Sequence, residues 1–502
     1  MKKAIAATAF ALAAAQATPA HAFCGFYVSG SGDKLFNDAT QVVLVRDGTR
    51  TVLSMQNDYA GPLADFAMVV PVPVVLHEPD VKTLPKSVFD DVEALGSPRL
   101  VEYWEQDPCF IPPPPAPMSV ATKGAAYEGV GGIEDKKDNG VKIEAKFDVA
   151  EYKILILSAK DSSGLETWLR QNHYQIPPDA EPLLRPYVEG GSKFFVAKVD
   201  PKKVQLVAGH AALSPLRFFY DSDDFALPIR LGMANSAGTQ DLIVNIISRD
   251  KRFEVANYPN VFAPTNFDVR SSVKSRFGEF YAALFDRTIA THPGAVVTEY
   301  AWTASRGYHC DPCPDLDVST QDIMTLGGDV VGGGLENNFV LTRLHARYGK
   351  GTLTDDLRFR VADAVTGGRE QYANNNQLEH GAQKSAENFF QARYAIRHRW
   401  TGPIKCQNPR RNIWGGPPDG NNQVIAASKL AFAPRGKLAL GDVVLRDLPE
   451  IKVWRGQSTQ APAPANGSHF AQPPAKTQSF GVGALITLAL LGVGSLVVRK
   501  KK

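Results

Sequence analysis

Thr40-Gln-Val-Val-Leu-Val-Arg46, Asp47-Gly48 and Thr49-Arg-Thr-Val-Leu-Ser-Met-Gln56 decide the fold class. Two β-branched runs flank an Asp-Gly pair, and glycine accepts the positive φ of a tight hairpin turn. The stretch predicts an antiparallel hairpin. Similar runs follow it. Phe66 to Val70 is a strand stopped by Pro71 and Pro73. Tyr152 to Leu157 and Lys193 to Val199 read as strands. Leu216 to Tyr220, Phe225 to Leu231 and Asp241 to Ser248 have the spacing of an antiparallel meander. Ala295 to Trp302, Val340 to Tyr348 and Leu357 to Val361 add three more.

Helices are few. Leu84 to Leu95 is a short one with Pro85 in its first turn. Ser163 and Glu166 have capping-box spacing ahead of a helix from Leu165 to Asn172. Val273 to Phe285 repeats apolar residues at helical spacing, and Ser319 caps a helix running to Leu326. The expected fold class is α+β: β-rich, mostly antiparallel sheets with a few packed helices, plus one carboxy-terminal transmembrane helix.

That last helix is Phe480 to Val498, an uncharged run followed by Arg499-Lys-Lys-Lys502. About 20 apolar residues match a bilayer, and the cations stay on the cytoplasmic side. The lipid bilayer is therefore an expected partner through residues 480–498. At the other end, Lys2-Lys3, an Ala-rich run and Ala20-His21-Ala22 read as a secretory signal peptide over 1–22. Between them the chain divides into an amino-terminal β-rich ectodomain, 23–260, a second α+β ectodomain, 261–456, and a Pro/Ala/Ser-rich linker, 457–479, before the span at 480–498 and the basic tail at 499–502. Some 430 residues exceed what one core usually serves, hence two domains. Pro108 to Pro117 and the Gly-rich stretch to Gly140 form a linker-like insert. A Pro-rich spacer, apolar run and basic end also resemble a sorting signal. The ectodomain is thus either anchored outside the cytosol in the cytoplasmic membrane or, if the tail is processed, moved to the cell surface. With 44% hydrophobic and 21% charged residues the chain is ordinary and globular, and a net charge of +3 gives no reason to expect nucleic acid as a partner.

Phe23-Cys-Gly-Phe-Tyr-Val28, Leu35-Phe-Asn-Asp-Ala-Thr40, Val70-Pro-Val-Pro-Val74, Leu165-Glu-Thr-Trp-Leu-Arg170 and Leu213-Ser-Pro-Leu-Arg217 resemble the bacterial exported family catalogued as domain of unknown function 2330. The resemblance extends from Phe23 to about Pro417. It implies a bacterial envelope protein and supplies no activity, so no catalytic residue carries over.

The five cysteines suggest disulfides in an exported chain. Cys24 and Cys109, each beside a family-like motif, are expected to pair. A second bridge is expected among Cys310, Cys313 and Cys406. Cys310-Asp-Pro-Cys313 alternatively forms a redox pair, as thiol-disulfide catalysts do. His309 with Cys310, Cys313 and Cys406 makes the weaker alternative of a zinc site. Asp221-Ser-Asp-Asp224 has oxygen ligands for calcium but reads as a turn.

Phe390 to Trp400 is the clearest half-buried strand, with Phe390, Ala392, Tyr394, Ile396, His398 and Trp400 on one face. Arg393, Arg397 and Arg399 share the other, and Arg410-Arg411 follow. Such a face binds an anionic glycan or lipid headgroup, or is simply a solvated face with paired acids. No His-Glu-x-x-His, Gly-x-Ser-x-Gly or phosphate loop occurs, and no cofactor is expected. The sequence thus points to an exported, membrane-tethered envelope protein with a binding or structural ectodomain and an envelope protein or glycan as partner. The alternative is an enzyme of thiol-disulfide or metal-dependent chemistry at the Cys-x-x-Cys site.

Overall fold

The computed structural model describes residues 26–457 apart from 30–35, 61–65, 110–135, 139–140, 173, 175, 177–179, 208–209, 236–238, 306–317, 336, 350, 370–377, 419–424, 427–435 and 437. The hairpin is its centre. Phe36–Asp47 (β1) and Arg50–Ala60 (β2) pair antiparallel, with Asp47 opposite Arg50. Gly48, at φ +55°, takes the first of the two loop positions, Gly48 and Thr49. The architecture rests further on Arg99–Glu105 (β3), Leu216–Asp221 (β4), Thr239–Ser248 (β5), Arg252–Val255 (β6), Val296–Ser305 (β7), Asn338–Gly349 (β8), Leu357–Ala362 (β9) and Arg393–His398 (β10). Two helices, Ser87–Gly96 (α1) and Phe277–Thr291 (α2), complete it.

An 11-stranded sheet runs β7-β8-β5-β1-β2-β4 through its middle, with short strands at its margins. Only β5 and β1 are parallel within that run. A second, 6-stranded antiparallel sheet includes Phe66–Val72, Tyr152–Ala159 and Lys193–Val199. Met68, Val70, Ile154, Ile156 and Phe195 from this sheet pack on Val42, Leu44, Leu53, Leu242 and Val244 from the first. Two sheets thus bury one apolar face against each other.

The β-rich class and the scarcity of helices agree with the sequence. No described helix is long and apolar enough to cross a membrane. The expected span at 480–498, the signal peptide and nearly all of the linker lie outside the described residues. The meander is corrected. Phe225 to Leu231 holds only a two-residue strand, Ala226–Leu227, and the chain then turns through the 3-10 segment Arg230–Asn235. It crosses over, so β4 pairs β2 while β5 lies between β1 and β8. The boundary expected near residue 260 falls within the large sheet, where β7 and β8 continue from β5.

The other face of this sheet is polar at its centre. On β8, Arg343, His345 and Arg347 alternate with Leu344, Ala346 and Tyr348, and only the latter enter the sheet-to-sheet core. Facing them on β5 are Asn245, Ile243 and Asp241. On β7 the register slips between Thr298 and Tyr300, leaving Glu299 as the extra residue of a bulge. A bulge re-aims a side chain. Glu299 is fully buried and accepts from Tyr281 Oη at 2.8 Å and Arg343 Nε at 2.7 Å, with His345 Nδ1 at 2.7 Å. Arg343 also grips Glu93 of α1, and Arg347 bonds Asp241 and Asp286. Phe285 of α2 stacks on the His345 ring, centroids 3.5 Å apart. Gly96 lets α1 close down, since a Cβ there would stand 3.3 Å from Leu341 Cδ2.

Four carboxylates therefore meet two guanidiniums and one imidazole. Burial opposes the charge of His345, but Glu299 and Asp241 outweigh it and raise its pKa. Burial likewise opposes the Glu299 carboxylate, and His345 and Arg343 outweigh that and hold it at about 2. Removing one member of such a buried network leaves its partners uncompensated, and Glu299→Ala is expected to cost about 3–5 kcal/mol. The pH dependence has a definite sign. The contribution of His345 is complete below about pH 6.5 and is lost as pH rises through its raised value. That of Glu299 persists down to about pH 4.5 and is lost as pH falls through about 2. Urea midpoints measured from pH 6 upward should fall for the natural chain and stay flatter in His345→Gln.

Candidate functional site: a disulfide-stapled arginine strap

The segment after β10 returns to the end of β3 and is fastened there. Cys406 is bridged to Cys109, with Cα atoms 5.5 Å apart. This corrects the expected pairing of Cys24 with Cys109, and of the bridge expected among Cys310, Cys313 and Cys406 it leaves only Cys310 with Cys313. The physical reason is β10, which runs parallel to β3 and delivers both chain ends to one place. The zinc set loses its fourth ligand, because the Cys406 sulfur is held in the bridge. Cys24, His309, Cys310 and Cys313 lie outside the described residues.

Glu105, the last residue of β3, is the second fastening. Its Oε1 accepts from Asn412 N and Arg411 Nε, both at 2.8 Å. Its Oε2 accepts from Arg411 Nη2 at 2.8 Å and from Trp400 N at 3.0 Å. Burial works against the charge, but these donors prevail and bring its pKa to about 2. Two backbone bonds add to the hold: Arg410 N donates to Pro108 O, and Gln106 N to Ile413 O, each at 2.8 Å. Asn412 makes the turn at φ +61°, a conformation asparagine tolerates better than most residues.

The expected anion-binding arginines come together here but in different roles. β10 is not half-buried. It lies between β3 and Phe267–Asp268, parallel to both, and is covered on both faces, as parallel strands are. The Phe390–Trp400 run is broken at Ala392, where the chain passes from Phe389–Gln391 in the large sheet to β10 in another. Arg393 is thus 2% exposed. Its guanidinium bonds the Tyr103 hydroxyl and lies 5.2 Å from the Tyr103 ring centre. Burial first, then Arg397 and Arg99, lower its pKa to about 9, which leaves it a cation at neutral pH. Arg397 lies 5.2 Å from the same Tyr103 ring centre and 4.8 Å from that of Trp414, and it bonds Asp268 at 3.0 Å. Arg399 lies 5.1 Å from Trp414. Arg393, Tyr103, Arg397, Trp414 and Arg399 form a ladder from the interior to the surface. Each contact is worth on the order of 0.5–2 kcal/mol.

Outward of the ladder the strap is exposed. Arg399 is 62% and Arg411 40% exposed, and Lys405 and Arg410 also face solvent. Ile404 and Ile413 are exposed among them. From Arg399 to Ile413 there are four cations and no carboxylate.

The sequence reading missed Tyr103, Glu105 and Trp414, which lie far from the arginines in the chain or in short strands. It also missed the buried group around Glu299. There the signal was present, since Arg343, His345 and Arg347 occupy alternate positions of one strand. Asp221 closes β4 and is tied to Arg50 at 2.8 Å. Ser222 to Asp224 lie in the link between two strands that do not pair with each other, so the expected hairpin turn is absent there, and no metal-ligand cluster occurs among the described residues.

The family model described as an uncharacterized protein conserved in bacteria (DUF2330) matches residues 18–360. The chain belongs to this family. The DUF2330 match spans the hairpin, the large sheet through β8 and the Glu299 network, and it ends before β10 and the strap. No curated protein and no solved structure matches the chain.

Glu105→Gln keeps the volume but loses the charge that binds Arg411, a loss worth about 1.5–3 kcal/mol for a charged hydrogen bond. Trypsin cleavage after Lys405, Arg410 and Arg411 should then accelerate, with the Cys109–Cys406 bridge intact on non-reducing peptide mapping. Unchanged cleavage would show that the bridge alone holds the strap.

Proposed function

We propose that this DUF2330 protein is an exported, membrane-tethered binding module of the bacterial envelope, and that its strap holds a phosphodiester-bearing component. One observation carries the reading. The strap presents Arg399, Lys405, Arg410 and Arg411 at the surface, interleaved with exposed Ile404 and Ile413. Among the described residues the only carboxylate bound to these cations is the buried Glu105, 2.8 Å from Arg411 and 4.0 Å from Arg399. Arginine forks match phosphate geometry, and the isoleucines suit a partner with an apolar side. The Cys109–Cys406 bridge supports an oxidising compartment. The signal-like start and the apolar, basic-ended tail support export and tethering.

Lipid headgroups and phosphate-bearing glycans share this chemistry, and a comparison of two probes separates them. The full chain in neutral detergent is titrated with labelled poly(glycerol phosphate) and, separately, with phosphatidylglycerol nanodiscs. Each cation near an anionic surface contributes about 1 kcal/mol, so Lys405→Gln with Arg410→Gln should weaken binding about thirtyfold. Binding should also weaken with added salt, because these charges are exposed. Preference for the polymer assigns the glycan and preference for the nanodisc the lipid. Binding of neither, or binding indifferent to the two substitutions, overturns the proposal.

A second reading draws on the same bridge. With Cys406 committed to Cys109, Cys310 and Cys313 have each other or Cys24 as partners. Thiol trapping at fixed redox potentials tests thiol-disulfide chemistry there. A Cys310–Cys313 bridge that reduces near about −120 to −180 mV supports it, and one that resists below about −300 mV excludes it.

A further inference from the structure

A cavity of about 600 Å³ opens beside β9, and a second of about 430 Å³ adjoins it, with Asp250, Lys251 and Val361 lining both. Val361 is 54% exposed, although it lies in a strand. Its backbone orientation follows from the register. β9 pairs antiparallel with β6, Val361 opposite Phe253. Phe253 N donates to Thr342 Oγ1, away from β9. Ala256 N donates to Arg358 O, and Phe359 N turns the other way, to Phe225 O. Residues 358, 360 and 362 therefore bond β6, while 359 and 361 point their N–H and C=O to the opposite side.

On that side Ala226–Leu227 covers Leu357 and Arg358, and Phe225 covers Phe359. Beyond it, no strand among the described residues reaches Val361. An N–H, a C=O and an exposed apolar side chain thus face one trough. Arg358 and Arg360 project on the other face of β9, 63% and 58% exposed, and Lys251 lies at the rim. Glu254 holds Arg360 at 2.8 Å, whereas Asp224 stands 3.8 Å from Arg358.

We propose that the open edge of β9 takes an extended peptide segment of another protein by strand addition. The segment alternates apolar and acidic residues. An apolar residue opposite Val361 exchanges two backbone hydrogen bonds with it, and its acidic neighbours lie across from Arg360 and Ala362, because Phe225 and Ala226 already occupy the positions across from Phe359 and Arg358. Strand addition draws affinity from main-chain bonds and selectivity from alternate side chains. The trough shares no residue with the strap, so the two readings stand apart.

The probe is the labelled peptide acetyl-Glu-Val-Glu-Val-Glu-amide, titrated against the full chain. N-methylation of its valine amides removes the donors aimed at Val361 and should weaken binding about tenfold or more. N-methylation of its glutamate amides, which point away, should leave binding nearly unchanged. Val361→Pro deletes the open N–H without touching the β6 ladder, and should match the valine-methylated loss at an unchanged melting temperature. Strap substitutions should have no effect. No binding of the unmethylated peptide, or equal loss from both methylation patterns, overturns the proposal.

Discussion

The Glu299 carboxylate is the constraint on which the large sheet depends. It sits at a bulge, so β7 must slip by one residue to aim it at Arg343 and His345. The same group takes the Tyr281 hydroxyl, which fixes α2 against the sheet. Arg343 carries the connection to Glu93 and thereby to α1. Two helices and three strands are thus positioned by charges that cannot be moved without leaving one buried and uncompensated. A hydrophobic face tolerates sliding more readily than this, because apolar contact has no direction. The polar stripe sets the register, and the opposite apolar face supplies the area that holds the sheets together.

The chain ends follow from that framework. β1 and β2 come early, β7 and β8 late, and they meet in one sheet. β3 and β10 are almost three hundred residues apart and lie side by side. Cys109 and Cys406 close that distance covalently, across a sequence separation of 297 residues. Bridging so long a loop restricts the unfolded chain strongly in the loop-entropy account. The bridge and Glu105 together keep a loop rich in arginine, proline and glycine in one conformation. A surface that binds must pay little ordering entropy at the moment of binding.

Local signals were the legible part of this fold. The hairpin at 40–56, the strand at 193–199 and the Ser319 cap follow from neighbours in sequence, and the structure has all three. The helix from Leu165 is present too, though Asp161 caps it in place of Ser163. What depends on distant partners was not legible. Nothing near Asp241 says that β5 runs parallel to β1. Nothing near Arg393 says that Tyr103 waits beneath it. Strand Phe66–Val72 continues through Pro71, because pairing by Phe26–Ser29 ends at Val69 and leaves the proline's missing N–H on an open side. Period-two alternation placed Arg393 on a solvent face, and a parallel neighbour on each side put it in the interior.

Arginine shows why the candidate site could be located only in part. One residue type does three kinds of work here. Arg343 and Arg347 fork onto carboxylates within the core, where their charge is cancelled. Arg393 and Arg397 stack on aromatic rings, where their planar groups pack as much as they attract. Arg410 and Arg411 stand at the surface, and Arg411, 40% exposed, is forked onto Glu105 from its solvent side. A net charge of +3 averages over all of these and says little about partners. Burial is what separates them: it turns a cation into a rivet when a carboxylate is at hand and into a rung when only rings are. A cation is left to meet a ligand only where the strap holds it in water.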